Sequence, residues 1–277
     1  EICKSLASIA PAVDFIRVGS ELSCDEAYRG HLIENELSSC NRRSEVYERI
    51  RNCRIIVGTV AAISGKPELF RLKHFDVAII DEATQILEPQ LLGILCARGE
   101  DGKDAIDKFV LIGDHKQLPA VVQQNTEQSA IYDESLLSIG LTNLKDSLFE
   151  RLYRNCTATV HRSYDMLCRQ GRMHPEVALF ANRAFYGGRL IPVGLPHQIE
   201  SSDTICRLAF YPSVPEKVGA SAKINYSEAR IVADLAVRIY EDHQADFDES
   251  RTLGIITPYR SQIALIKKEI ESLLEGI

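Results

Sequence analysis

Short runs of branched apolar residues alternate along this chain with longer segments in which apolar residues recur every three or four positions. The short runs predict buried strands at residues 55–60, 77–80, 109–112 and 253–257. Strands that alternate with helices predict an α/β fold with a parallel sheet. Because ligands bind beyond the carboxyl ends of strands in such sheets, the residues that follow these runs are the first candidates for function.

Helical periodicity is clearest in the last quarter of the chain. Asn225 and Glu228 have the spacing of a capping box and precede a one-sided apolar pattern. A second helix is predicted after Ser261, so residues 257–262 form a turn from strand to helix. Residues 121–140 are polar and predict a loop. We place the boundary between two lobes so that they span residues 1–156 and 157–277.

Composition narrows the class of protein. With 277 residues, of which 45% are hydrophobic, the chain can form two folded lobes. Its net charge of −7 means that any nucleic-acid site must be a local groove. Its eight cysteines have no metal-binding spacing, which predicts free thiols and an intracellular protein, cytoplasmic or nuclear. No apolar run approaches 18 residues, so we expect no membrane span, and we expect a monomer.

The run at residues 75–80 ends in two adjacent carboxylates, Asp81 and Glu82. A buried strand followed by such a pair is the Walker B arrangement of nucleotide hydrolases. Asp81 is predicted to hold Mg²⁺, and Glu82 to polarise the water that attacks the γ-phosphate of ATP. The alternative is a strand end with two solvated acids.

The next apolar run ends in residues 113–119, Gly-Asp-His-Lys-Gln-Leu-Pro. Together, the carboxylate pair and this segment resemble motifs II and III of superfamily 1 helicases. That resemblance implies that Gln117 senses the γ-phosphate. An amide suits this role because it can both donate and accept a hydrogen bond. The alternative is a polar turn closed by Pro119.

Residues 168–175, Cys-Arg-Gln-Gly-Arg-Met-His-Pro, resemble the arginine motif of the branch that includes the nonsense-mediated-decay RNA helicase and the replication helicase-nucleases. The resemblance implies nucleotide contacts from Gln170 and an arginine finger at Arg172, whose forked, permanent charge suits a phosphoryl group. Gly171 replaces the family's tyrosine, which stacks on adenine, so base selectivity stays open. The alternative for Arg172 is a structural ion pair at a helix start.

Two further segments resemble the parts of this branch that face nucleic acid. The first is the end of the run at residues 55–60, and the second is Ile-Thr-Pro-Tyr-Arg-Ser-Gln at residues 256–262. Candidate contacts to backbone or stacked bases are Gly58, Thr59, Val60, Thr257, Pro258, Tyr259 and Gln262. The alternative for Thr59 is a strand-end turn without function.

The resemblance implies parts of two RecA-like lobes, with ATP and Mg²⁺ as cofactors and single-stranded DNA or RNA as the track, followed from 5′ to 3′. None of the 277 residues forms the phosphate loop G-x-x-x-x-G-K-[S/T], so we expect a middle portion of a motor that hydrolyses ATP poorly by itself. One alternative is a noncatalytic nucleic-acid binding module. Another is an unrelated phosphate-loop hydrolase, which should lack the motif at residues 170–175.

Overall fold

A computed structural model describes residues 1–159, 163–199, 207–214 and 223–275. The chain divides into two compact units, Glu1–Leu167 and Cys168–Ile277. The lobe boundary after residue 156 stays a prediction, and the boundary between these compact units follows Leu167. Its position has a physical reason, because Tyr164 packs edge-on against the ring of Tyr153, with 5.0 Å between the centroids, and this contact keeps the connecting segment with the first unit.

Helices and strands are interspersed along both units. Those of unit 1 are α1 (Ile2–Ile9), β1 (Phe15–Val18), α2 (Ile33–Leu37), α3 (Arg43–Asn52), β2 (Ile55–Gly58), α4 (Val60–Ser64), α5 (Pro67–Leu72), β3 (Phe75–Ile80), α6 (Glu88–Leu95), β4 (Ile106–Leu111), α7 (Glu134–Ser138) and α8 (Leu148–Ala158). Those of unit 2 are β5 (Arg169–Gln170), α9 (Pro175–Tyr186), β6 (Ile191–Pro192), α10 (Pro196–Ile199), α11 (Tyr226–Asp242) and α12 (Arg260–Leu274). Among the described residues, no helix is both long and apolar enough to traverse a bilayer.

Parallel pairing organises the strands of unit 1. β1 pairs with β2, with Phe15 opposite Ile55. β3 pairs with β4, and Ile80 lies opposite Leu111 at the carboxyl end. The predicted α/β class with parallel strands is confirmed.

The β3–β4 pair has one covered face and one open face. On the covered face, Ala78, Ile80 and Phe109 pack into apolar clusters with residues of α4, α5, α6 and α8. On the other face, Ile79 and Val110 are exposed, Ile79 by 67%. Alternation along a strand explains the split, because neighbouring side chains point to opposite faces.

The β1–β2 pair has its own core. Ile16 and Val18 are buried beside Ile50 of α3 and Leu69 of α5. Gly58 allows the two strands to approach, since a Cβ atom there would lie 2.8 Å from the carbonyl oxygen of Val18. A larger residue would have to push the strands apart.

In unit 2, α11 packs against α12 through Ala229, Leu265 and Ile266. The predicted start of α11 is confirmed, because the side chain of Asn225 accepts the Glu228 N–H at 3.1 Å. α12 begins at Arg260, close to the predicted start.

Two strand predictions need correction. The run at residues 55–60 stops being a strand after Gly58, because Thr59 caps α4 and Val60 is its first residue. The strand predicted at residues 253–257 is wrong. A strand needs a hydrogen-bonded neighbour, the described part of unit 2 pairs only β5 with β6, and Ile256 is 99% exposed. The polar segment 121–140 also contains a short helix, α7.

A buried ion pair joins α6 to α8. Nε of Arg151 donates to Oε2 of Glu88 at 2.8 Å, and Nη2 donates to Oε1 of the same carboxylate. Nη1 of Arg151 also donates to the carbonyl oxygen of Ile139 at 3.0 Å. Both charged side chains are nearly inaccessible to solvent, so removing one would leave its partner buried without compensation.

We therefore expect Arg151→Met to lower the free energy of unfolding by about 3 to 5 kcal/mol, the usual cost of breaking a buried pair. The control is Arg154→Met, which removes the more exposed pair with Asp146 and should cost about 1 kcal/mol or less. Urea denaturation followed by circular dichroism compares the two. Equal losses would contradict a special role for the buried pair.

Candidate functional site

Two adjacent carboxylates lie just beyond the carboxyl end of β3. Apart from glycines, Glu82 alone among the described residues has a left-handed backbone, with φ 50° and ψ 37°. Oδ1 of Asp81 accepts the Glu82 N–H at 3.0 Å, and Nε2 of Gln85 donates to Oε2 of Glu82 at 3.0 Å. Both carboxylates are exposed. Such a backbone is costly for a non-glycine residue and recurs at functional sites.

The loop after β4 carries the predicted phosphate sensor. The carboxylate of Asp114 accepts the Lys116 N–H and the side-chain amide of Gln117, each at 2.9 Å. Gln117 is exposed, so Asp114 orients an amide that still reaches solvent. His115 packs on the ring of Tyr153 in α8, with 4.4 Å between the centroids.

Main-chain hydrogen bonds join these two loops. The N–H of Ile112 donates to the carbonyl oxygen of Ile80, and the N–H of Ala83 donates to the carbonyl oxygen of Ile112, each at 2.8 Å. A Cβ atom on Gly113 would lie 2.9 Å from Cγ2 of Thr84, which is buried. Glycine is therefore needed at position 113 to seat one loop against the other.

The predicted nucleic-acid contacts at the end of β2 differ in exposure. Gly58 serves strand packing, and Val60 packs in the core of unit 1. Thr59 is exposed, and its Oγ1 accepts the Ala62 N–H at 3.2 Å as the cap of α4. Of the three, Thr59 is the one that presents an exposed side chain.

One cavity brings two of the predicted groups together. Its volume is about 1090 Å³, and its lining includes Gly58, Thr59, Val60 and Asp81. Apolar side chains such as Ile79 form much of the rest of the lining. Glu82 and Gln117 are not among the lining residues, so the cavity itself holds only part of the predicted site.

In unit 2 the arginine motif forms a tight turn between β5 and α9. Oε1 of Gln170 accepts the Met173 N–H, and its Nε2 donates to the Met173 carbonyl oxygen, each at 2.8 Å. Nδ1 of His174 accepts the Glu176 N–H and caps α9. Arg172 is exposed, with no ion pair to another described residue. Gln170 thus holds the turn, and Arg172 projects from it.

Residues of α10 form hydrogen bonds to this turn that the sequence pattern did not predict. Gln198 is buried, and its Nε2 donates to the carbonyl oxygens of Gln170 and Met173 at 2.9 and 3.0 Å. Nε2 of His197 lies 2.9 Å from the carbonyl oxygen of Gly171. Both residues belong to α10, and a lone glutamine in so short a helix gives no signal in the sequence.

The segment before α12 contains the remaining predicted nucleic-acid contacts. Pro258 and Tyr259 are exposed, and Thr257 is half-buried. Gln262 is different, because it is buried and bonds the main chain of Asn225 with both ends of its amide, at 2.8 and 2.9 Å. The structure therefore places Gln262 in the packing of α11 on α12, and not at an exposed contact.

Asp14, His31 and Glu36 form one other cluster whose side chains are of the types that bind metal ions. The guanidinium of Arg49 already bridges both carboxylates, at 2.7 Å from each. Its partial burial acts to lower the pKa of Arg49, but hydrogen bonds to Asp14 and Glu36 and their charges outweigh that effect and raise the pKa. A cation thus occupies the position that a metal would need.

Comparisons with known proteins agree with these motifs. Two AAA domain families match the chain, one over residues 28–125 and the other over residues 144–276. The DNA replication ATP-dependent helicase/nuclease DNA2 of Xenopus laevis is 29% identical over 260 residues, which cover 82% of this chain and 22% of that protein. A probable helicase of Dictyostelium discoideum is 30% identical over 225 residues, 77% of this chain and 20% of that protein.

The probable helicase senataxin of Mus musculus is 28% identical over 204 residues, which cover 71% of this chain and 7% of that protein. The chain thus spans about a fifth or less of the length of these relatives. The two domain matches include the carboxylate pair of β3 and the arginine motif after β5. By these matches and relatives, the chain belongs to the superfamily 1 helicase-like proteins and contains parts of RecA-like lobes.

Proposed function

We propose that this chain couples ATP hydrolysis to movement along single-stranded nucleic acid. The observation that carries the proposal is the junction of two loops, in which the segment with Asp81 and Glu82 is bonded and packed against the segment that leads to Gln117. This arrangement brings the loop that carries the two carboxylates next to the loop in which Asp114 orients the amide of Gln117. Relatives named as ATP-dependent helicases support the same reaction.

Asp81 suits a magnesium ion that is bound mainly by phosphates and water. Mg²⁺ prefers oxygen ligands and in nucleotide sites uses only one or two carboxylates. The exposed Asp81 offers such an oxygen, since only its Oδ1 has a hydrogen bond within the described residues. With ATP bound, Mg²⁺ would neutralise charge on the phosphates.

Glu82 is assigned to orient and polarise the attacking water. The hydrogen bond from Gln85 fixes one carboxylate oxygen, which leaves the other available to accept a proton. Gln117 is assigned to bond a phosphate oxygen, and Asp114 orients its amide for that contact. The left-handed backbone of Glu82 sets the direction of the carboxylate after the strand ends.

Arg172 is assigned to stabilise the charge of the transferring phosphoryl group. An exposed guanidinium without an ion pair among the described residues can bind an anion without first breaking a bond. The hydrogen bonds of Gln170 and Gln198 keep the turn that carries it in one conformation, so less freedom is lost on binding.

Thr59, Pro258 and Tyr259 are assigned to the nucleic acid, because their side chains are exposed and suit backbone contact or stacking on a base. Thr257 is also assigned to the nucleic acid. Relatives named for DNA replication favour DNA, and RNA is tested beside it.

A second candidate function is nucleic-acid binding without hydrolysis, which the exposed Thr59, Pro258 and Tyr259 would serve equally well. Hydrolysis measured with and without polymer separates the two functions.

The first test measures ATP hydrolysis by the 277-residue chain and by the natural polypeptide in which it occurs, with and without oligo(dT) or oligo(U). The motor proposal expects polymer-stimulated hydrolysis by the natural polypeptide. Glu82→Gln should retain nucleotide binding and lower kcat by about 10²-fold or more, as loss of a general base does. Glu100→Gln, at another exposed acid, should change nothing. Polymer binding without any hydrolysis would favour the binding function.

A second test concerns the arginine motif. In the natural polypeptide, Arg172→Ala should lower kcat by about 10³-fold, the usual effect of losing an arginine finger. Arg172→Lys should recover little, because an ammonium lacks the forked geometry. The control is Arg169→Ala, which removes an exposed arginine of β5. Similar kcat values for Arg172→Ala and Arg169→Ala would remove Arg172 from the mechanism.

A further inference from the structure

A local excess of positive charge lies in unit 1, in a segment that also contains Gly58, Thr59 and Val60. Residues 42–74 contain eight basic and three acidic side chains, a net charge of +5, whereas the whole chain carries −7. This segment contains α3, β2, α4 and α5. α3 and α5 pack against each other, so the excess is gathered on neighbouring elements.

Most of these cations have no acidic partner. Arg49 is bonded to Asp14 and Glu36, and Lys66 pairs with Glu34 at 3.3 Å. The other six make no ion pair with a carboxylate of the described residues: Arg42, Arg43, Arg51, Arg54, Arg71 and Lys73. Five of these six side chains are exposed, and Lys73 is half-buried.

Helical spacing and hydrogen bonds arrange several of them in a row. Arg43, Tyr47 and Arg51 recur at four-residue intervals along one side of α3. The guanidinium carbon of Arg43 lies 5.7 Å from the centroid of the Tyr47 ring. Nζ of Lys73 donates to the carbonyl oxygen of Arg51 at 2.8 Å, and Arg54 follows the end of α3. We call these five residues the α3 stripe.

One member of the α3 stripe, Arg54, is separated by the length of β2 from the predicted contacts at the carboxyl end of that strand. Arg54 precedes the first residue of β2, whereas Thr59 follows its last. Five residues of extended chain span roughly 16 Å at about 3.3 Å per residue. Arg54 and Thr59 therefore lie at opposite ends of the same strand.

We propose that the α3 stripe is a second contact surface for single-stranded nucleic acid. The arginines bind backbone phosphates, and Tyr47 offers a ring on which a base stacks. Alternation of cations with an aromatic ring favours nucleic acid over an acidic protein, since proteins that bind single strands combine charge with stacking. The choice of polymer rests on the function proposed above, but binding at the stripe needs no hydrolysis.

The test measures binding of fluorescent oligo(dT) and oligo(U) by the 277-residue chain over a range of salt concentrations. Each phosphate contact contributes about 0.7 to the slope of log K against log salt for single strands. Arg43→Gln with Arg54→Gln should therefore reduce the slope by about 1.4. Tyr47→Ala should weaken binding about tenfold, and Tyr47→Phe should not. Circular dichroism checks that each variant is folded.

The control is Lys267→Gln with Lys268→Gln, which removes the same charge from exposed positions of α12. An equal loss of slope in this control would overturn the proposal, because bulk charge would then explain the effect. Displacement of the oligonucleotide by poly-glutamate at equal charge concentration would also overturn it in favour of an acidic partner.

The same measurements separate this inference from the proposed function. If the unmodified chain binds single strands and the double arginine variant keeps the same slope of log K against log salt, the proposal that the α3 stripe binds nucleic acid is wrong. The proposed motor function is unaffected by that result. If the α3 stripe variants behave as expected but the natural polypeptide hydrolyses no ATP, the proposal for the α3 stripe is retained and the proposed motor function is wrong. Failure of the unmodified chain to bind either polymer would overturn the stripe.

Discussion

The pairing of β3 with β4, continued by main-chain hydrogen bonds beyond both strands, is the constraint on which the candidate site depends. The Ile112 N–H donates to the carbonyl oxygen of Ile80, and the Ile112 carbonyl oxygen accepts from the Ala83 N–H. The two loops therefore continue the register of the paired strands. Gly113 then permits contact with Thr84. Residues about thirty positions apart in the chain are thereby fixed in one region without a direct bond between their functional groups.

Much of this region could be predicted from the sequence, because its signals are local. Apolar runs of strand length end in charged residues, and the structure places β3 and β4 where two of those runs lie. The run at residues 253–257 has the same composition but forms no strand, since pairing depends on a neighbour that composition does not reveal. The left-handed backbone of Glu82 was equally invisible, because distant contacts at the loop junction hold it.

The glutamines show that one residue type can serve two different uses. Gln170 and Gln262 suggested contacts to ligands, yet each uses both ends of its amide on the main chain of its own unit. Gln198, which gave no signal, does the same from a buried position. An amide that donates and accepts is suited to lock a turn as well as to read a phosphate. Exposure separates the two uses, and Gln117 is the exposed one.

Formal charge can mislead. A net charge of −7 argues against a general affinity for nucleic acid, but it adds together charges that are already neutralised by each other. In unit 1, Asp14, Glu34 and Glu36 are bonded to Arg49 and Lys66, whereas the other six cations of residues 42–74 make no ion pair among the described residues. Phosphate binding depends on the local field within about a Debye length, roughly 8 Å at physiological salt. An acidic chain can therefore present a basic surface, and the distribution of ion pairs, not the total charge, determines where a polyanion can bind.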